Sequence, residues 1–243
     1  MLADARVGTS GFAYREWVGH VYPPEADASQ LLPLYAQRLP AVELSTLPPE
    51  LLESWAASAP PGFQFAVKAP ARVASELVSG KGAARAFGAF LDVAEKLGES
   101  LGPILIQVPA TRSADRHALI SFLAAVPDGL RLAFDFKHRS WHDDSTLRIL
   151  SAREAALVLT DDGESRPRIE LTAGFTYLRI RGDDERPEAI DAWAERLGLL
   201  TRRGIEVYAF LKHDRKGLAV DRASRLAALL RAESHVGEHA MLS

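Results

Sequence analysis

The sequence predicts an α/β fold, a single (β/α)8 barrel of the TIM type, and three observations carry that expectation. Eight short segments rich in Val, Ile, Leu, Phe or Tyr read as strands along the 243 residues. Stretches with helical spacing separate most of them, and strands alternating with helices build a parallel sheet. The length is that of one α/β barrel, which commonly takes about 200–250 residues as a single unit. The competing arrangement is an open doubly wound sheet. A glycine-rich dinucleotide fingerprint would support it, but the first strand runs into Gly8-Thr9-Ser10-Gly11, which lacks the spacing, and no phosphate-loop lysine motif occurs.

The first strand is expected over Arg6 to Gly11, followed by a loop carrying Tyr14, Trp17 and Tyr22. These rings could stack on a ligand or pack the loop over the barrel mouth. The second strand is expected over Ala41 to Thr46, after which Pro48-Pro49 opens a helix. The third covers Phe63 to Ala69, and a helix follows over Ala84 to Leu97, with Phe87, Phe90, Leu91, Ala94 and Leu97 on one face and Gly98 as its stop. The fourth strand covers Pro103 to Pro109 and precedes a helix over Ala114 to Val126. The fifth covers Arg131 to Lys137 and the sixth Ala156 to Asp162. Between Gly163 and Gly174 the helical signal is weakest, so that segment is helix or loop. The seventh strand covers Phe175 to Gly182, with a helix over Ala189 to Arg203 closed by Gly204, and the eighth covers Glu206 to Asp214. Residues 1–232 therefore read as one barrel domain, with 233–243 a candidate flexible tail. No fixed-period repeat and no low-complexity linker divides the chain.

Composition narrows the chemistry. The chain has no cysteine, which excludes disulfides, thiol catalysis, zinc–thiolate sites and iron–sulfur clusters. A net charge of −3 gives no global attraction to nucleic acid or to acidic membranes, and argues against nucleic acid as the partner. No apolar run approaches the roughly 20 residues that span a bilayer, and no signal-peptide pattern opens the chain, so a cytoplasmic location is expected. His138 and His142 stand four apart, but without a paired glutamate motif they make a poor metal signal. Neither a metal nor a cofactor is expected, and the oligomeric state is open.

In a barrel of this type the carboxyl ends of the strands form the active face, and the period of two along a strand sorts side chains inward or outward. If Leu132, Phe134 and Phe136 face the helices, Asp135 and Lys137 face the axis. The same alternation turns Tyr177, Arg179 and Arg181 inward, with Gln64, Ala66 and Lys68, Glu43 and Ser45, Gln107, and Lys212 with Asp214. The sixth strand leaves Asp161 and Asp162 as alternatives.

So many charges inside a barrel are costly unless they pair, hydrogen-bond or meet a ligand. One reading is a set of mutually satisfied ion pairs. The other is a polar pocket, richer in cations than carboxylates, for a small anionic or polyhydroxylated ligand. In it Arg179 and Arg181 form a bidentate anion clamp, Glu43 and Asp135 are the candidate acid and base, and Lys68 is an electrophile or imine former. Removal of Arg179 is then expected to abolish anion binding with folding intact.

Several ordered motifs, spread over essentially the whole chain, resemble those of the YecE-like family, catalogued as domain of unknown function 72. They are Gly8-Thr9-Ser10-Gly11-Phe12 with Tyr14 and Trp17, Val42-Glu43, Phe65 to Pro70, Leu101-Gly102-Pro103, and Gln107-Val108-Pro109. Phe134 to Trp141, Tyr177-Leu178-Arg179, and Gly217 to Val220 complete the set. The resemblance implies a TIM-type barrel, a loose grouping with sugar isomerases, and site residues Glu43, Lys68, Gln107, Asp135, His138, Trp141 and Arg179. The chain departs from the family pattern after Glu43, where Leu44 to Pro48 replaces an asparagine and a Phe-Tyr pair, and it lacks the histidine often found near Arg72-Val73-Ala74. Arg179-Ile180-Arg181-Gly182 stands where Arg-Leu-His-Gly is usual, and Lys212-His213 replaces an asparagine pair, so the pocket is shifted toward positive charge. The expected function is an isomerase or lyase acting on a small anionic or phosphorylated sugar, with a non-catalytic binding barrel as the alternative. A nucleic-acid-processing enzyme is the third choice.

Overall fold

The computed structural model of the chain describes residues 3–79, 82–163, 166–182 and 187–241. Eight parallel strands close in sequence order into a barrel: β1 (Ala5–Ser10), β2 (Ala41–Leu44), β3 (Gln64–Lys68), β4 (Leu101–Val108), β5 (Leu132–Phe136), β6 (Ala156–Asp161), β7 (Phe175–Ile180) and β8 (Glu206–Leu211). β8 returns to β1 through five register pairs, from Ala5 opposite Val207 to Thr9 opposite Leu211. The helices are α1 (Leu31–Ala36), α2 (Leu52–Ser58), α3 (Ala71–Ser79), α4 (Ala83–Ala94), α5 (Arg116–Ala125), α6 (Asp144–Ala152), α7 (Pro187–Thr201) and α8 (Leu218–Met241). Every strand but β6 is followed by at least one α-helix among the described residues. The segment from Gly163 to Gly174 is loop where it is described.

The alternating pattern produces two cores. Outward residues such as Val42, Phe65, Ile106, Phe134, Leu178 and Val207 pack beneath the helices in one continuous cluster. Inside the barrel, small residues on one side (Ala41, Ala66, Ala133, Ala156) make room for large ones on β7 and β8 (Phe175, Tyr177, Tyr208, Phe210). Pairing small with large side chains fills a narrow barrel without voids. Gly8 belongs to the same packing problem. A Cβ there would lie 1.9 Å from the Ala41 carbonyl oxygen, so β1 and β2 can approach only with glycine at that position. The Tyr35 hydroxyl of α1 pins this seam, donating to the Ala41 carbonyl at 3.0 Å and accepting from the Thr9 amide at 2.8 Å.

The strands stop one to three residues earlier than the sequence pattern suggests at several C-terminal ends. β8 ends at Leu211 because the following residues turn into the start of α8. Asp214 accepts from the amides of Lys216, Leu218 and Ala219, so its carboxylate satisfies the amino end of α8. The expectation that Asp214 faces the barrel axis as a ligand contact is corrected on that ground. The backbone of residues 233–241, expected as part of a flexible tail, continues α8, and 242–243 lie outside the described residues. Among the described residues no helix is long and apolar enough to cross a membrane.

Candidate functional site at the barrel mouth

Glu43, near the C-terminal end of β2, is fully buried. Its Oε1 accepts from Ser10 Oγ at 2.8 Å, Arg179 Nη2 at 3.1 Å and Arg181 Nη2 at 2.9 Å. Its Oε2 accepts from the Tyr177 hydroxyl at 2.8 Å and Arg179 Nε at 3.0 Å. Donors from β1 and β7 thus converge on a residue of β2. The forked contact with Arg179 is the bidentate geometry in which guanidinium and carboxylate match best.

A second carboxylate, on β5, is tied to the first. Asp135 is 3% exposed and accepts from Arg179 Nη1 and Gln107 Nε2 on Oδ2, at 3.0 and 2.9 Å, while Lys137 Nζ lies 2.8 Å from Oδ1. Gln107 stands directly opposite Asp135 in the β4–β5 register, which explains why its amide reaches the carboxylate. The other end of that amide accepts from Lys68 Nζ at 2.8 Å. Lys137 Nζ also reaches Thr160 Oγ1 at 3.2 Å. One hydrogen-bonded chain therefore runs across the axis from Ser10 to Lys68 and Thr160.

Arg179 is the hub. All three of its nitrogens contact carboxylate oxygens, and its side chain is 8% exposed. Burial works against its charge, but Glu43, Tyr177 and Asp135 more than offset it, so the guanidinium is held above its ordinary pKa. Burial, reinforced by Glu43, pushes the Tyr177 phenol well above the usual tyrosine range. It stays a neutral donor to Glu43. The clamp role expected for Arg179 is therefore not open to it in this arrangement, because it already holds both carboxylates. Arg181 differs, with a 22% exposed side chain and one carboxylate contact.

The remaining expected residues lie around this centre or away from it. Tyr14 stacks on His213 with ring centroids 4.2 Å apart and planes 8° apart, and its hydroxyl donates to the Ser10 carbonyl. Burial, then Glu16 and Glu43, raise its pKa. His138 caps the turn after β5: its Nδ1 accepts from the Ser140 amide at 3.2 Å and meets Ser140 Oγ at 2.8 Å. With Nδ1 accepting from that amide, Nε2 is the ring nitrogen that carries the N–H. Trp141 is fully buried, stacked on Phe136 at 4.3 Å, with its indole donating to the Arg112 carbonyl. It supports the mouth from below, so its expected ligand-contact role is corrected to a packing one. His142 bonds the Phe136 carbonyl through Nε2 and does not join His138. Lys212 is exposed just beyond β8, and Ser45 is exposed beyond β2. Of the two aspartates expected on the sixth strand, Asp162 lies just past β6, while Asp161 accepts from the Trp193 indole of α7 and faces the helices, leaving Thr160 on the axis side.

Ser10, Tyr177, Thr160 and His213 were not among the residues expected to build the site. The period of two already turns Tyr177 inward with Arg179, but gives no sign that its hydroxyl donates to Glu43. Nothing local marks Ser10 or Thr160, whose roles follow from the neighbours that closure brings to them. Among the described residues, no group of three or more His, Asp and Glu side chains is arranged to hold a metal ion. A cavity of about 440 Å³ lies beside the network, with Asp135, Lys137 and Thr160 among its lining residues.

A family model described as "Protein of unknown function DUF72" matches residues 6–241. No curated protein matches the chain. The crystal structure of a DUF72 family protein from Thermotoga maritima MSB8 is similar at a TM-score of 0.81 and 27% identity, covering 94% of this chain and 99% of that one. Two crystal structures of a DUF72 family protein from Enterococcus faecalis V583 are similar in fold. One has a TM-score of 0.73 at 18% identity, covering 93% of this chain and 95% of that one. The other has 0.65 at 16% identity, covering 94% and 98%.

Proposed function

Because the chain belongs to the DUF72 family, whose description assigns no reaction, we propose from the site itself that the barrel mouth binds a small organic anion bearing a carboxylate or a phosphate. The observation that carries this reading is the imbalance of the network. Among the described residues, Arg179, Arg181, Lys68 and Lys137 meet only two carboxylates within it, Glu43 and Asp135. Arg179 is fully engaged, but among the described residues the Arg181 side chain makes one hydrogen bond and that of Lys68 one, where a guanidinium offers five N–H donors and an ammonium three. These donors, with Lys137, supply positive charge at the carboxyl ends of the strands, where barrels of this type carry their sites. Glu43 positions the two arginines and, with both oxygens engaged by five donors, is a poor base.

Turnover as an isomerase or lyase on a small anionic or phosphorylated sugar is a second reading, favoured by Asp135 and Lys137 lining one cavity. Asp135 would take a proton beside a carbonyl once Lys137 turned to the ligand, and the lysine and arginine donors would stabilise the enediolate oxygen.

Thermal shift and calorimetry with inorganic phosphate and sugar phosphates test the binding reading. At a hundred times its dissociation constant a ligand adds about 2.7 kcal/mol, which raises Tm by about 5–10 °C for a chain of this size. Arg181→Met should weaken binding at least tenfold, and unchanged affinity in that variant would overturn the assignment. Exchange of solvent deuterium into a bound sugar phosphate, lost in Asp135→Asn, would support turnover; no exchange with any bound ligand sinks it.

A further inference from the structure

The shortest ladder of the closed barrel joins β5 and β6. Their ladder holds only two register pairs, Ala133 with Ala156 and Phe134 with Leu157. Both strands nevertheless continue, β5 pairing with β4 as far as Phe136 and β6 with β7 as far as Asp161. They part at their carboxyl ends. The position that a helix after β6 would cover is crossed instead by loop in its described part, and the cavity of about 440 Å³ lies there. Its walls include Leu147 of α6 with Leu157 and Leu159 of β6, and its inner end reaches Lys137 and Thr160. The one side-chain hydrogen bond that crosses the gap between these strands, among the described residues, is Lys137 Nζ to Thr160 Oγ1 at 3.2 Å.

We propose that this side cleft is a second half of the binding site, holding a compact apolar body whose anionic group rests on Lys137. The inference rests on the anion-binding reading and narrows it, from any small anion to one with a hydrocarbon portion. The physical reasons are size, lining and charge. A volume of about 440 Å³ falls in the range of small-molecule pockets, roughly 300–1,000 Å³. Aliphatic side chains from two elements, Leu147, Leu157 and Leu159, form one part of the lining, and against that part a bare sugar would lose hydrogen bonds to water without replacement. Of the four acidic residues of the lining, Asp135 meets Arg179 and Lys137, Glu170 meets Arg168, Asp143 meets Arg116, and Asp144 is exposed to solvent. The Lys137 ammonium at the inner end, with Asp135 and Thr160 on two of its three N–H donors, keeps the third to offer a carboxylate.

Calorimetry with butanoate, hexanoate and octanoate, beside inorganic phosphate, tests this on the intact chain. The expected result is a gain of about fourfold in affinity per added methylene until the cleft is filled, following the usual value for burying a CH2 group. Leu147→Gln, on the partly exposed wall of α6, should flatten that series and leave phosphate affinity unchanged. Phosphate binding with carboxylate affinities independent of chain length overturns the cleft and leaves the mouth reading standing. Chain-length dependence without phosphate binding supports the cleft and counts against the phosphate-binding mouth. Binding of neither probe overturns both. The series on the unsubstituted chain decides the matter even if Leu147→Gln folds poorly.

Discussion

Arg179→Met is the substitution for which the structure gives the sharpest expectation. Methionine fills most of the volume, so the loss is electrostatic rather than a cavity. Glu43 then keeps Ser10, Tyr177 and Arg181 but loses two of its five donors, and Asp135 keeps Gln107 and Lys137 but loses its guanidinium. Removing one partner of a buried ion pair costs about 3–5 kcal/mol, because the other charge is left in a poorly solvated site. The surviving donors place this case near the lower end, at about 3 kcal/mol, or a fall in Tm of about 6–12 °C for a chain of this size. Arg181→Met, which removes a single contact from a side chain 22% exposed, should cost about 1 kcal/mol. Urea denaturation at neutral pH, followed by circular dichroism, measures both. The structure thus predicts a stability cost where the sequence alone suggests that Arg179 can be removed with folding intact. An Arg179→Met chain within about 0.5 kcal/mol of the parent would refute the hub argument, since surface substitutions alone change stability that little.

Two further outcomes follow from single side chains and from the tyrosines together. Asp214→Ala removes the acceptor for three amides at the start of α8 and should cost about 1–2 kcal/mol in thermal unfolding, with phosphate affinity unchanged. Lost phosphate binding in a folded Asp214→Ala chain would return this residue to the pocket. All five tyrosines have raised pKa values, by burial first in each case, with Tyr208 pushed up to about 12. Above pH 10 the unfolded chain gives up phenolic protons that the folded chain keeps, so stability falls as pH rises. Tyrosinate absorbance should consequently lag behind pH 10 and appear together with unfolding; free titration of the native chain near pH 10 would contradict the burial assigned to these rings.

The strand count and the inward or outward sense of most site residues were legible because both depend on local regularities. Glu43, Lys68, Gln107, Asp135, Lys137, Arg179 and Arg181 all lie on the axis side that a period of two assigns them. The same rule failed at Asp214, which lies past the end of β8, where the pleat no longer applies and the amino end of α8 is the nearer partner. It was silent on β6, where the Trp193 indole of α7 settles the direction of Asp161.

Sequence by itself thus determined an eight-stranded parallel barrel with charged residues collected at the strand ends. Only the closed tertiary structure decided that Arg179 is locked between two carboxylates while Arg181, two residues on, keeps donors to offer. It also decided that β5 and β6 part company above Phe134 and Leu157. The reason lies in what each property depends on. Parity is set by the pleat of one strand, whereas partners are set by the register between strands far apart in the chain, as when β1 and β7 deliver Ser10 and Tyr177 to the same carboxylate on β2.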